Sequence, residues 1–159
     1  MFKVSFKENA KKVQVFNNKD TVVTLIGKMD FPTKILNLTP QHILRWMWDH
    51  PSVDVSWGEP MKVEVSGKSI CSDIDVFNPV LGERIAESRA KIKLYKFLHN
   101  LCEMLMNHYY DIMYGNAEIG TIRESHTEAP KDCLYLTCQK YRELWIKESR
   151  HLGKLLEEA

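Results

Sequence analysis

The chain has 159 residues, which suits one domain with a substantial core and excludes two large independent domains. Its 22 basic and 21 acidic residues leave a formal charge of only +1, so bulk electrostatics does not drive it onto nucleic acid or anionic lipid. The sequence contains no apolar run of the roughly 20 residues that cross a bilayer, and it does not begin like a signal peptide. We therefore expect a soluble protein with no membrane contact, whose four cysteines are reduced inside a cell.

Residues 1–76 predict a β-rich head. Short β-type runs at 4–6, 13–15 and 22–25 are separated by turn residues at 8–10 and 17–20. This pattern is typical of an antiparallel meander, which Gly27 and the Asp30-Phe31-Pro32 corner should end.

Two further stretches alternate apolar and polar residues. They lie at 53–57 and 61–65, on either side of Gly58-Glu59-Pro60, and predict a second hairpin. The Ser66-Gly67-Lys68-Ser69 stretch has turn composition and should lead into another strand at 70–71. We expect a small, mostly antiparallel sheet of about five or six strands.

One short helix is predicted between the two hairpins. Thr39 is a suitable cap and Pro40 a suitable first residue, and the helix should stop before Pro51 because residues that precede proline avoid helical backbone angles. The neighbouring tryptophans Trp46, Trp48 and Trp57 have two interpretations. They pack between this helix and the sheet, or they form a stacking platform for a base.

The second half, residues 77–159, reads as helical. Asn78 is an apt cap and Pro79 an apt first residue for a helix from about 79 to 114, which Gly115-Asn116 should end. After a polar loop over 115–129, a second helix is predicted from about 130 to 157. Apolar residues recur at alternating spacings of four and three in both, which predicts a long antiparallel two-helix hairpin after the sheet, an α+β fold in a single compact unit.

The apolar stripe of the first long helix widens in its distal half beyond what one partner helix covers. Self-association into a homodimer or higher homo-oligomer through the long helices is one expectation. The alternative is that the stripe folds back over the sheet of the same chain.

No catalytic or metal signature is present. The sequence has no nucleophile elbow, phosphate-binding glycine loop or HExxH motif, and the spacing of Cys133 and Cys138 does not match a zinc site. The carboxylates Asp73, Asp75 and Glu83 are better explained by the positive end of the helix that follows than by a metal. We expect a protein that is not an enzyme and has no cofactor and no bound metal.

A cluster of basic residues lies at the start of the first long helix. It comprises Arg84, Arg89, Lys91, Lys93 and Lys96. Such a run is usually a solvated face. Here it lies beside Phe77, which is able to stack on a base, and beside Asn78 and the first helical amides, which are able to bind a phosphate. A small phosphorylated ligand fits this compact cluster better than a duplex does.

The stretch from 71 to 90 resembles a group of small bacteriophage and prophage proteins. In these, a hairpin leads into Cys, an acidic pair, an aromatic with Asp or Asn, Gly-x-x-Ile-Ala and Arg-Ala. The matching residues are Cys71, Asp73, Asp75, Phe77, Asn78, Gly82, Ile85, Ala86, Arg89 and Ala90.

Among phage proteins of this size and shape, the chain is also similar to the anti-Thoeris sponges, which sequester cyclic ADP-ribose signals between subunits without turnover. This resemblance implies a phage-encoded anti-defence protein in the cytoplasm of the bacterial host. It implies a ligand of the cyclic nucleotide class, bound by aromatic stacking and arginine contacts, with Phe77, Asn78, Arg84 and Arg89 as candidate binding residues.

Two other functions remain open. One is an inhibitor that binds a host defence protein through the helical hairpin, as an anti-CRISPR or anti-restriction factor does. The other is a virion or replication accessory protein that touches nucleic acid with the basic stripe.

Overall fold

The computed structural model describes residues 4–31, 39–58, 61–72, 75–113 and 124–159, without the side chains of 109–113 and 124–133. Its elements are β1 Ser5–Phe16, β2 Asp20–Asp30, α1 Gln41–Trp48, β3 Val53–Ser56, β4 Met61–Ile70, α2 Pro79–Met113 and α3 Glu124–Glu158. The predicted α+β class is therefore confirmed, with an antiparallel sheet, one short helix between β2 and β3, and two long helices after the sheet. None of the described helices is long and apolar enough to cross a membrane.

In the described residues the sheet has four strands in the order β1-β2-β4-β3, and every neighbouring pair is antiparallel. The prediction of five or six strands is wrong, because two segments with turn composition lie inside strands. At residues 8–10 the chain forms a β-bulge within β1, opposite Gly27 of β2, so Gly27 does not end its strand. The stretch from 66 to 69 continues β4, whose small residues Gly67 and Ser69 face inward.

The predicted turn at 17–20 is confirmed. It connects β1 to β2 and is one residue shorter than predicted, because Asp20 already belongs to β2. Asn17 and Asn18 both have left-handed backbone angles, with φ of 54° and 50°. Asparagine tolerates this region, and two such residues in a row match the twist of a tight hairpin. The backbone N–H of Lys19 closes the turn by donating to the Phe16 carbonyl at 3.0 Å.

Helix α2 lies directly on the sheet. A Cβ atom on Gly67 of β4 would overlap the backbone oxygen of Ala86 and the backbone nitrogen of Ala90. Both alanines are fully buried, so small residues on the helix and on the strand allow the two backbones to touch. Further along α2, Leu94 and Phe97 enter the same hydrophobic core as the sheet residues. Part of the apolar stripe thus covers the sheet of its own chain.

The two long helices pack antiparallel. Ser88 Oγ donates to Glu148 Oε1 at 2.7 Å, and Tyr95 stacks on Tyr141 with ring centroids 6.5 Å apart. Residue numbers therefore rise along α2 as they fall along α3.

Two predicted helix starts are corrected. Helix α3 begins at Glu124, so Pro130 lies inside it and the predicted start at about 130 is wrong. The fixed φ of proline is compatible with a helix, so α3 continues through Pro130 with the loss of one backbone hydrogen bond. The predicted stop at Gly115-Asn116 and the first part of the loop lie outside the described residues. At α1, Pro40 rather than Thr39 occupies the N-cap position.

The space around Gly67 and Gly153 predicts opposite effects for alanine substitutions at the two positions. Gly67→Ala should destabilise the fold by about 1–3 kcal/mol or prevent folding, because backbone atoms that cannot move aside occupy the space. Gly153→Ala is the matched control: an added Cβ there meets nothing within 4 Å, and alanine favours a helix by about 1 kcal/mol. Urea unfolding measures both. Equal stability of Gly67→Ala and the wild type would contradict the close contact.

Candidate functional site

A cavity of about 290 Å³ lies where β4 passes into α2. It is formed by the β1–β2 turn, the end of β4, the link to α2, the first two turns of α2 and the end of α3. The lining residues include Lys19, Ser69, Cys71, Asp75, Phe77, Asn78, Gly82, Ile85 and Glu158. Segments from the start, middle and end of the described chain thus meet at one place.

Short hydrogen bonds hold the link between β4 and α2. The Cys71 amide donates to the Lys19 carbonyl at 3.0 Å, which ties the end of β4 to the β1–β2 turn. Ser72 Oγ donates to Asp75 Oδ2 at 2.7 Å. Asp73, a carboxylate of the sequence pattern, lies outside the described residues. The path of the chain into Phe77 is therefore fixed at both ends of the link.

Asn78 caps α2 as predicted. Its Oδ1 accepts a hydrogen bond from the Leu81 amide at 3.1 Å, and Pro79 is the first helical residue. The cap occupies the Asn78 oxygen and one of the first amides of the helix. The phosphate-binding capacity expected at this helix end is reduced accordingly.

A small-residue contact forms the floor of the cavity. A Cβ on Gly82 would lie 3.0 Å from Thr21 Oγ1, so the missing side chain lets the first turn of α2 approach β2. Thr21 is almost fully buried, and its hydroxyl has no hydrogen-bond partner in the described structure. Thr21 pairs with Ser69 in the register of β2 and β4 and contacts the position of Gly82. Both Ser69 and Gly82 line the cavity.

The cavity carries both signs of charge. Lys19 contributes a positive charge, while Asp75 and Glu158 contribute negative charges. Arg84 does not line the cavity but lies next to it, because its Nη1 is 3.9 Å from Glu158 Oε2. Both side chains of that ion pair are about half exposed, so the pair is weak.

Arg89 and Lys93 have a structural role at the edge of β4. Strand β3 pairs with β4 only from Lys62 to Val65, so no described strand pairs with the next part of β4 on that side. Arg89 Nη1 donates to the Lys68 carbonyl at 2.7 Å and Lys93 Nζ to the Ser66 carbonyl at 2.8 Å. These cations satisfy backbone oxygens that a longer β3 would have paired.

The other cations of the predicted cluster also have partners. Lys91 pairs with Glu87 at 3.2 Å, and Lys96 lies 5.3 Å from the centre of the Trp145 ring. Glu87 is partly buried, which by itself would raise its pKa, but the charges and hydrogen bonds of Lys91 and Lys11 outweigh burial and lower it.

The four predicted ligand-binding residues do not all meet at one place. Phe77 and Asn78 line the cavity and Arg84 lies beside it, whereas Arg89 lies at the edge of β4.

A thiol, an imidazole and a carboxylate meet between α2 and α3. Cys138 Sγ is 3.3 Å from His99 Nδ1, and His99 Nε2 is 3.6 Å from Glu103 Oε2. The order resembles a nucleophile, base and orienting acid. Burial raises the pKa of the Cys138 thiol, however, and the Glu103 charge raises it further, so the thiolate is disfavoured. Sequence reasoning missed this contact, since nothing local links residues so far apart.

Metal ligands do not cluster in the described part of the chain, where no group of three or more His, Cys, Asp or Glu side chains is arranged to hold an ion. The side chain of Cys133, one of the cysteines weighed for zinc, lies outside the described residues.

Comparison with known proteins gives no match to a protein family, to a curated protein or to a solved structure.

The raised thiol pKa predicts that Cys138 is unreactive. With iodoacetamide at pH 7 and mass-spectrometric mapping of each site, the partly exposed Cys71 should be modified at least about tenfold faster than the buried Cys102 and Cys138. After unfolding in urea the cysteines should react alike. Faster modification of Cys138 than of Cys71 in the folded protein would identify an activated thiol and contradict this interpretation.

Proposed function

We propose that this protein is a non-enzymatic binding protein that sequesters a small nucleotide-type signal at the cavity beside Phe77. The observation that carries the proposal is the cavity itself, because six residues of the phage-protein pattern line it. These are Cys71, Asp75, Phe77, Asn78, Gly82 and Ile85. On this proposal the protein is an anti-defence factor of a bacteriophage and acts in the cytoplasm of the bacterial host.

The size and charge of the cavity restrict the ligand. At about 290 Å³ it is at the lower end of small-molecule pockets, which suits one base and sugar better than an extended dinucleotide. Phe77 supplies a ring for stacking and Lys19 a positive charge, while Asp75 and Glu158 disfavour an anionic group inside the cavity. A ligand whose phosphate group stays outside the cavity fits these charges best.

Arg84 is the group best placed to bind such an outer phosphate. Its exposed pair with Glu158 contributes roughly 0–1 kcal/mol, so a phosphate competes readily for the guanidinium. Arg89, which donates to the backbone of β4, has no such role in this proposal.

The proposal predicts a ligand-dependent thermal shift. A panel of cyclic nucleotides and cyclic ADP-ribose isomers should contain one compound that, at a hundredfold excess over its Kd, stabilises the protein by about 2.7 kcal/mol and raises Tm by about 5–10 °C. Phe77→Ala should abolish the shift and Arg84→Ala should reduce it. Arg89→Ala should lower the starting Tm but keep the shift.

The control is Val80→Ala, which removes an exposed side chain of the same helical turn. It should leave both the Tm and the shift unchanged. No shift with any compound, or an equal shift for wild type and Phe77→Ala, would contradict the proposal.

We also propose that two copies associate through the outer face of α3. Ile146 and Leu136 are exposed there, 41% and 69% respectively. In an antiparallel pair of α3 helices centred next to Ile146, Arg150 of each copy lies opposite Glu143 of the other, because the two residues are equally far from the centre. A two-fold axis generates this contact twice, which is the arrangement of an isologous dimer.

Charge reversal tests the dimer. The wild type should have about twice the monomer mass of 18.6 kDa by light scattering. Glu143→Arg or Arg150→Glu alone places like charges across the axis and should give a monomer. The double variant restores opposite charges and should restore the dimer. A monomeric wild type would contradict the proposal and leave this face for a host protein, the other partner that the sequence suggests.

A further inference from the structure

The edge of strand β4 beyond the end of β3 is a second feature suited to binding, separate from the cavity beside Phe77. Strand β3 pairs with β4 only as far as Val65, so no described strand lies beside residues 66–70 on that side. We call these residues the free edge of β4, which is about 17 Å long at the usual rise of a strand. An edge of this kind is a template to which another extended chain adds.

The direction of the backbone groups shows what the free edge offers. Next to β4, the Cys71 amide donates to the Lys19 carbonyl at the end of the β1–β2 turn, so odd-numbered residues face β2 and even-numbered residues face the free edge. The carbonyls of Ser66 and Lys68 agree with this alternation, because both accept hydrogen bonds from side chains of α2 on that side. In an antiparallel strand the amide of each residue points the same way as its carbonyl.

Two cations of α2 bind these carbonyls. Lys93 Nζ donates to Ser66 at 2.8 Å and Arg89 Nη1 donates to Lys68 at 2.7 Å, and both hydrogen bonds are exposed to solvent. Four residues of a helix rise about 6 Å and two residues of a strand about 7 Å, so side chains four apart on α2 reach carbonyls two apart on β4. A strand that adds to the free edge brings N–H groups with the same spacing, which replace both cations at the carbonyls.

The displaced cations determine the charge of the partner. From Arg89 to Lys96, helix α2 contains four basic residues and no acidic one. Carboxylates at alternate positions of an incoming strand lie about 7 Å apart on one face, which matches the spacing of Arg89 and Lys93 along the helix. Each of these cations then exchanges an exposed bond to a neutral carbonyl for a charge-assisted bond to a carboxylate.

Two other occupants fit the free edge less well. A nucleic acid strand offers phosphates to Arg89 and Lys93 but no regular series of N–H groups, so the carbonyls of β4 would lose their donors when the cations move. A second copy paired edge to edge about a two-fold axis would place the cations of both α2 helices side by side, where they repel each other.

We propose that the free edge of β4 binds an extended acidic peptide segment of another protein as an added antiparallel strand. The N–H groups of the segment donate to the carbonyls of Ser66 and Lys68, and its own carbonyls accept from the amides of the same residues. Carboxylates at alternate positions of the segment pair with Arg89 and Lys93. The added strand continues the line of β3 along β4.

Backbone amide resonances of ¹⁵N-labelled protein test the proposal. The probe is the synthetic peptide Thr-Glu-Val-Glu-Val-Glu-Thr with blocked ends. It should shift the amide signals of Ser66, Lys68 and Ile70 and slow their exchange with deuterium, while the signals of β1 stay unchanged.

Three comparison peptides separate charge from backbone pairing. Glutamine in place of each glutamate should weaken binding at least about tenfold. In the added strand the glutamates face α2, and the N–H groups of the valines then face β4. N-methylation of both valines should therefore abolish binding, whereas N-methylation of the glutamates should leave it unchanged.

Two charge-reversal variants complete the test. Lys93→Glu should abolish binding of the glutamate peptide and favour a peptide with lysine at the same positions. Lys154→Glu makes the same charge change at an exposed position of α3 and should bind as wild type does. Several results would overturn the proposal: no shifts at millimolar peptide, equal binding of the glutamine or valine-methylated peptide, unchanged binding to Lys93→Glu, or the same shifts with a single-stranded DNA oligonucleotide.

Discussion

The contact between helix α2 and strand β4 at Gly67 determines where the other elements lie. Because the backbones of Ala86 and Ala90 touch the strand at the one position without a side chain, the helix has little freedom to slide or rotate. That position sets the start of α2 over the end of the sheet, where the cavity forms. It also directs the opposite face of α2 towards α3, whose last turn closes the cavity with Glu158.

The cationic residues of α2 show that a charge cluster in the sequence need not form one binding surface in the fold. In the sequence they form one group suited to an anion, whereas in the fold each has a different partner: a carboxylate, a backbone carbonyl or an aromatic ring. Arg89 and Lys93 compensate for the shortness of β3, so their charge serves the sheet. Of these cations, Arg84 lies next to the cavity, where it forms a weak ion pair with Glu158.

Sequence reasoning predicted the elements that depend on local interactions. The Asn78 cap, the tight turn at Asn17 and Asn18 and the antiparallel helices follow from residue preferences and periodicity. The errors arise where turn-like residues serve another purpose. Gly67 reads as a turn residue, but it is small because a helix lies on it, and only the tertiary contact reveals this.

The residues of the candidate site also fall into two groups, those that local sequence predicts and those that only the tertiary structure brings together. Phe77 and Asn78 were predictable because the motif and the helix start are local. Lys19, Ser69 and Glu158 were not, because they reach the cavity from a turn, a strand and the end of α3. The two tryptophans of α1 were ambiguous in sequence, since the direction in which an aromatic residue of a short helix points depends on where that helix packs. In the fold the first stacks on a phenylalanine of α2 and the second is exposed.

The outer strand β1 has one further consequence. It is a long strand at the edge of the sheet, the kind of surface on which strands of other molecules add and start aggregates. Lys11 lies on the side of β1 that faces α2, where it binds Glu83 and Glu87, and these hydrogen bonds raise its pKa. A foreign strand that straightened this edge would disturb both bonds and the bulge before it. Charged side chains on an edge strand disfavour its pairing with another chain, so Lys11 has this general effect while it joins the sheet to the helix.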